Sequence, residues 1–296
     1  MKRRFLIFIG MVFLLSTSAL AQPFETTLPL QFNTGDKNDG LPSTVITIQN
    51  KQIPIILDTG TIDTDIALSR EALEGTQVYF TGKDSCYRSL NRYSCQQHFI
   101  VPRAQLGGFI VKNIRGMLME KFWGSNNRHF KETQASHDGA IGLSLLSQFN
   151  LLLDYSHHKM VLVKQGHFPA GYDVKNWTRV PFVNRDGIVT YAKINGKLVT
   201  LLWDTGSVPS KIKQYFNFMR DSRVCNKKIN YAISNCRYVV ANHFSITRQA
   251  LSPTWFLLDH IPSNIPFDGL IGSNFYEENL VFFDFKNHLI YVLSRE

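Results

Sequence analysis

The chain has 296 residues, 44% of them hydrophobic and 19% charged, a composition that excludes general disorder and suffices for one large core or two smaller domains. Its formal net charge of +9 is scattered along the sequence rather than run together. It therefore reads as a solvated surface and does not point to nucleic acid as a partner.

The first predicted element is a leader. Lys2, Arg3 and Arg4 precede an apolar run from Phe5 to Leu15, and Ala19 and Ala21 form an A-x-A site ahead of Gln22. The apolar core is short for a membrane span. The expectation is a signal peptide over 1–21, cleaved after Ala21, with membrane attachment only if that segment stays on the chain. Its loss lowers the formal charge from +9 to +6, and no cysteine follows the site to carry a lipid anchor. The chain is expected to be periplasmic or secreted, and a short leader with compact halves favours a bacterial periplasm.

Downstream, one series of segments occurs twice. In the first copy a β-branched strand, Ser43 to Ile48, turns at Gln49-Asn50-Lys51 and continues through Ile53 to Leu57 into Asp58-Thr59-Gly60-Thr61. A short helical pattern at Ser69 to Leu73 follows, then Cys86 and Cys95, then a polar stretch at 122–137 that reads as an exposed loop. Asp138-Gly139-Ala140-Ile141-Gly142-Leu143 comes next, with a helical pattern at Leu145 to Phe149. A hairpin from Leu151 to Val163, turning at His157-His158-Lys159, ends the copy. Gly166, Pro169 and Gly171 break the pattern between Gln165 and Trp177, so the predicted organisation is one lobe over 22–170 and another over 171–296. Asn176-Trp177-Thr178 is formally a glycosylation sequon, which matters only in a glycosylating host.

The second copy opens with Thr190 to Ile194 and an Asn195-Gly196 turn, a strong hairpin signal, and runs through Leu198 to Trp203 into Asp204-Thr205-Gly206-Ser207. A helical pattern at Tyr215 to Arg220, then Cys225 and Cys236, then Asp268-Gly269-Leu270-Ile271-Gly272-Ser273 and a hairpin from Leu280 to Leu293 complete it. The copies are offset by 146 residues at Asp58 and Asp204 and by 130 at Asp138 and Asp268, so the second is 16 residues shorter between its motifs. Short β-branched and aromatic runs between Gly, Asn, Asp and Pro turns make the chain mainly β. The four cysteines form an even set, as expected of disulfides in an exported chain. Three connectivities are possible; matching placement favours Cys86 with Cys95 and Cys225 with Cys236, a local bridge in each half. No C-x-x-C or histidine cluster suggests metal.

One Asp-Thr-Gly is weak evidence. Two, each after an apolar strand, each before a hydroxyl residue and each upstream of Asp-Gly-apolar-Ile-Gly, are specific. On these motifs the chain resembles the aspartic peptidases, in the form of two retropepsin-like lobes fused in one chain as in pepsin-like enzymes, over about 40–165 and 180–295. The resemblance implies two acid-protease-type β-barrel lobes about a pseudo-twofold axis, with the active site in the cleft between them. It implies an endopeptidase with Asp58 and Asp204 as catalytic dyad, activating water without a covalent intermediate. It further implies a polypeptide substrate, a monomer, and no cofactor or metal. By the same resemblance Thr59 and Thr205 bond across the axis to the opposite loop, Thr61 and Ser207 donate to the outer carboxylate oxygens, and Asp138, Gly139, Ile141, Gly142, Asp268, Gly269, Ile271 and Gly272 belong to the ψ-shaped loops beneath the turns.

The residue types suit that chemistry. Peptide hydrolysis needs a proton taken from water and one given to the carbonyl oxygen and leaving nitrogen. Two adjacent carboxylates share one proton because both cannot ionise cheaply, so one serves as base and the other as acid. Sequence alone does not assign which. Gly60 and Gly206 fit tight turns where a side chain would obstruct the opposite lobe, and an acidic optimum is expected. Plainer roles are expected elsewhere: Asp138 and Asp268 as caps of local backbone, Asp154 and Asp284 as strand ends, and His157 and His158 as a solvated hairpin tip. Phe282, Phe283 and Trp203 are expected in the core. The family's flap tyrosine has no clear counterpart; Tyr87, Tyr93, Tyr231 and Tyr238 are the candidates. The rival readings are a peptidase-like scaffold that binds peptides or a partner without cutting, and a peptidase of one gated substrate.

Overall fold

A computed structural model describes residues 23–32, 40–89, 92–119, 138–214, 218–225 and 235–295, and the side chains of these apart from 87–89 and 92–94. The leader, the 122–137 loop, Tyr231, the side chains of Tyr87 and Tyr93, and the start of the Tyr215 to Arg220 segment lie outside the described residues.

The protein is mainly β, built as three sheets. One uses only first-half strands, in the order 31–32, 42–48, 51–58, 139–142, 66–69, 109–119, 92–106 and 79–89. A second uses only strands of the other half. Its central run, 254–259, 211–213, 269–271, 197–203 and 188–194, follows the first sheet's run 109–119, 66–69, 139–142, 51–58 and 42–48. The third sheet is shared. It orders 25–29, 159–164, 149–154, 279–284, 289–294 and 178–181, and its two halves join by Leu151↔Phe283, Leu152↔Phe282 and Leu153↔Val281.

Burial on both faces explains why the four central strands of this shared sheet are apolar on both sides. Leu151, Leu153, Val281 and Phe283 enter the main core, which runs continuously through both halves. Leu152, Val161, Val163, Phe282 and Tyr291 face the other way, where Val174 and Trp177 cover them. The break predicted at Gln165 to Trp177 is therefore the stretch by which the chain crosses this outer face. Asn150 stitches the halves at the sheet's end: its carbonyl oxygen accepts from Phe285 N at 3.2 Å and its amide donates to His167 O at 3.2 Å.

The turns are those the sequence requires. Asn195 and Gly196 both adopt positive φ, 48° and 84°, as a two-residue hairpin turn demands. His158 (φ 51°) and His288 (φ 53°) occupy equivalent left-handed positions in the two hairpins of the shared sheet. His157 is an exposed tip residue whose Nδ1 bonds to Asp154 at 2.9 Å, while His158 packs edge-on against Phe32. Asp154 is more than a strand end. It is buried and gathers His157, Tyr172, Lys159 and the near-terminal Arg295. Burial pushes its carboxyl up, but the His157 hydrogen bond and the Arg295 charge outweigh that and hold it below the ordinary value.

Helix is confined to short pieces. Ser69 caps Arg70–Leu73 by accepting from Ala72 N at 3.0 Å. The Leu145 pattern gives one helical turn at Leu143–Leu146 and becomes strand at Phe149, and the described end of the Tyr215 pattern is a 3₁₀ turn at Met219–Asp221. Both disulfides are formed, Cys86–Cys95 and Cys225–Cys236, as suits an oxidising, exported environment. Among the described residues no helix is long and apolar enough to cross a membrane.

Candidate active site

Each Asp-Thr-Gly turn leaves a strand that is clamped from beneath by the matching Asp-Gly-apolar-Ile-Gly segment. Strand Lys51–Asp58 runs parallel to Gly139–Gly142, pairing Ile56↔Ala140, Leu57↔Ile141 and Asp58↔Gly142. Strand Lys197–Trp203 runs parallel to Gly269–Ile271, pairing Leu202↔Leu270 and Trp203↔Ile271, and Asp204 N donates to Ile271 O at 3.0 Å. Glycine is needed in these segments for space. A Cβ on Gly139 would lie 2.0 Å from Ala67 O, and one on Gly269 would lie 2.4 Å from Lys211 O.

Asp138 and Asp268 join strands through their backbone rather than capping their own turns. Asp138 N donates to Pro54 O, and Asp268 N to Thr200 O. The Asp268 carboxylate also accepts from Thr200 N at 2.8 Å and Thr200 Oγ1 at 2.9 Å. Pro54 takes the equivalent place in the first half and has no N–H to offer Asp138.

The two turns interlock. Thr59 Oγ1 donates to Trp203 O at 2.8 Å and accepts from Thr205 N at 3.0 Å; Thr205 Oγ1 donates to Leu57 O at 2.8 Å and accepts from Thr59 N at 3.0 Å. Both threonines are fully buried. The carboxylates face each other across this lock. A Cβ on Gly60 would fall 2.6 Å from Asp204 Oδ1, and one on Gly206 would fall 2.6 Å from Asp58 Oδ1, so each glycine is the space the opposite acid occupies.

The two acids are served unequally. Asp58 accepts from Gly60 N at 2.9 Å, Thr61 N at 3.2 Å and Thr61 Oγ1 at 2.7 Å, a set that stabilises the charged carboxylate. Asp204 accepts from Gly206 N at 2.8 Å alone of the corresponding donors. The expectation for Ser207 is corrected here: its hydroxyl donates to Pro209 O at 2.8 Å and is not an outer-oxygen partner of Asp204. Behind Asp204 stand the buried rings of Trp203, Phe275 and Tyr276. Burial, and then the neighbouring Asp58 charge, push the Asp204 carboxyl well above the usual carboxylate range. The geometry thus distinguishes the two acids: Asp58 gathers three donors, while Asp204 has one and lies where burial raises its carboxyl.

The difference between Thr61 and Ser207 is testable. Thr61→Val removes a hydrogen bond to the Asp58 carboxyl, and for hydrolysis at these two acids it should lower turnover about tenfold or more, whereas Ser207→Ala should change it less than threefold, as read by steady-state kinetics. Equal losses would mean that both hydroxyls serve the acids.

Beside Asp58 a cavity of 330 Å³ opens, walled by Leu41, Ile56, Ala67, Met117, Met119 and Ala140 and bordered by Asp204 and Gly206. Of these wall residues Ala140 belongs to the Asp-Gly-apolar-Ile-Gly motif, whereas Ala67 and Met117 carry none and come beside it through strand pairing. Of the flap candidates with described side chains, Tyr238 is buried against Trp255 and serves packing. The first sheet ends in a long hairpin, Tyr79–Ser89 with Arg92–Leu106, in which Cys86 lies directly opposite Cys95. Compared with protein-family models and with curated proteins, the chain matches none.

Proposed function

We propose that the chain is an exported aspartic endopeptidase of two related lobes, over 22–170 and 171–296, with a monomer as the working unit. One observation carries the reading: the two Asp-Thr-Gly turns lock together through four reciprocal threonine hydrogen bonds, so that each glycine backs onto the opposite carboxylate. Matching strand order in the two one-half sheets supports the two-lobe description.

In this mechanism Asp58, which accepts three hydrogen bonds, takes a proton from a water molecule between the acids. The hydroxide formed attacks the scissile carbonyl carbon while Asp204 gives its proton to the carbonyl oxygen. Collapse of the tetrahedral diol breaks the C–N bond as a proton reaches the amine and the other returns to the dyad. No bond to the protein forms. The apolar cavity beside Asp58 gives a substrate side chain a place to bury, which fixes the carbonyl near the acids.

The test is digestion of a diverse unfolded-peptide mixture by the chain from Gln22 onward, across acid to neutral pH, with products read by mass spectrometry. New internal cuts are expected. Peptide binding with no cut would favour the silent-scaffold reading, and a single cleaved protein among many resistant peptides would favour a dedicated peptidase.

A further inference from the structure

The two halves are built alike around their acids but differ in what flanks them. In the first half, strand Ile66–Ser69 runs antiparallel to Gly139–Gly142 with Ala67↔Ala140, and parallel to Phe109–Met119 with Ala67↔Met117 and Ser69↔Met119. In the second, strand Lys211–Lys213 runs antiparallel to Gly269–Ile271 with Lys211↔Leu270, and parallel to Thr254–Asp259 with Lys211↔Leu257 and Lys213↔Asp259. Position by position, Lys211 stands where the first half has Ala67, Leu257 where it has Met117, and Asp259 where it has Met119. Ala67, Met117 and Met119 wall the apolar cavity beside Asp58. By this register their counterparts belong to the Asp204 half, where the Lys211 charge acts on Asp204, with an ion pair in place of an alanine and a methionine.

That pair is formed and reachable. Lys211 Nζ lies 3.4 Å from Asp259 Oδ2, with the two side chains 28% and 31% exposed. Asp259 is fixed from its other oxygen, which accepts from His260 N at 2.8 Å. An ammonium group has three N–H donors, and one directed at Asp259 leaves others for a ligand. Asp259, engaged by Lys211 and by His260, has less capacity to accept. The site as a whole offers donors.

Resting on the peptidase reading, we propose that the Lys211–Asp259 pair makes the Asp204 side of the cleft a polar subsite that selects a substrate residue bearing a side-chain carboxamide or carboxylate, opposite an apolar residue held beside Asp58. A bound substrate covers the partly exposed Lys211 ammonium, so an apolar side chain there leaves its remaining donors without an acceptor, and hydrogen-bonding sites reject analogues lacking the acceptor more strongly than apolar pockets reject a change in size. The chain should then cut pairs such as Leu with Gln or Glu in one order only, since the two sides are chemically distinct.

The experiment compares kcat/KM on one peptide scaffold whose two residues flanking the scissile bond are Leu–Leu, Leu–Gln, Gln–Leu, Leu–Glu and Glu–Leu. The parent is expected to favour one order of the mixed pairs over Leu–Leu by about tenfold or more. The double variant Lys211→Ala, Asp259→Met, which copies the first half, is expected to reverse that preference, and Lys211→Met alone to abolish it. A parent that favours Leu–Leu, or an unchanged ratio in a variant that still cuts, overturns the polar subsite while leaving the peptidase reading standing. A parent that cuts none of the five, having cut nothing in the peptide mixture, overturns both.

Discussion

Asp58→Asn and Asp204→Asn should each lower peptide cleavage by about a thousandfold or more, within the scale of removing a general acid or base. Their effects on stability should differ, because burial raises the Asp204 carboxyl. Asn is the size of Asp and, like the protonated acid, neutral, so Asp204→Asn fixes the state that the fold prefers. With the Asp204 carboxyl well above its ordinary value, its proton is retained in the folded chain at a pH where the unfolded chain has lost it. The stabilisation from this difference is fully present below the unfolded pKa, about 3.9. It is lost, at up to about 1.4 kcal/mol per pH unit, as pH rises through the folded one. Relative to the parent, Asp204→Asn should therefore gain stability steadily as pH rises from 4 towards neutrality. Denaturant midpoints at a series of pH values check this, and a parallel pair of curves would mean that Asp204 is ionised in the fold.

Activity follows the same proton. Asp204 must carry it to act as acid, so cleavage should fall on the alkaline side as pH rises through the raised Asp204 pKa. That limb is displaced upward from the ordinary carboxylate range. The acidic optimum expected from sequence is then broadened towards neutral pH.

Much of this site was legible because it depends on short motifs that recur. The Asp-Thr-Gly turns and the Asp-Gly-apolar-Ile-Gly strands fix local geometry through glycine, and their equal context in both halves goes with matching parallel pairing at Ile56↔Ala140 and Leu202↔Leu270, which the sequence itself did not announce. The hairpins of Leu151 to Val163 and Leu280 to Leu293 were legible as pairs too. Their joining into one sheet at Leu152↔Phe282 was not, since an apolar run buried on both faces is silent about its neighbour. Ser207 also misled. The resemblance assigned its hydroxyl to Asp204, but the carbonyl of Pro209, two residues on, takes it. The Lys211–Asp259 pair was hidden because its members are 48 positions apart and meet only through the Lys213↔Asp259 register.

Thr59→Val and Thr205→Val should be the most damaging changes that leave both acids in place. Valine keeps the β-branched shape and puts a methyl where the hydroxyl was, so the loss is dominated by the buried backbone groups left unpaired. Thr205→Val strips Leu57 O of its donor and Thr59 N of its acceptor, two buried backbone groups at about 1–3 kcal/mol each, hence about 2–6 kcal/mol. Thr59→Val does the same to Trp203 O and Thr205 N. The four bonds connect the halves at the one point where the acids meet, so a shift of a few tenths of an ångström there changes their separation directly. Turnover should fall by about a hundredfold or more in either variant, with substrate affinity changed far less, since the apolar cavity beside Asp58 does not use these hydroxyls. Because the two threonines share one lock, the double variant should lose less stability than the sum of the singles, with a coupling of about 0.5–3 kcal/mol. Additive losses with unchanged turnover would show that the shared sheet, through Leu151, Leu152 and Leu153 against Val281, Phe282 and Phe283, is enough to hold the dyad together without the turns.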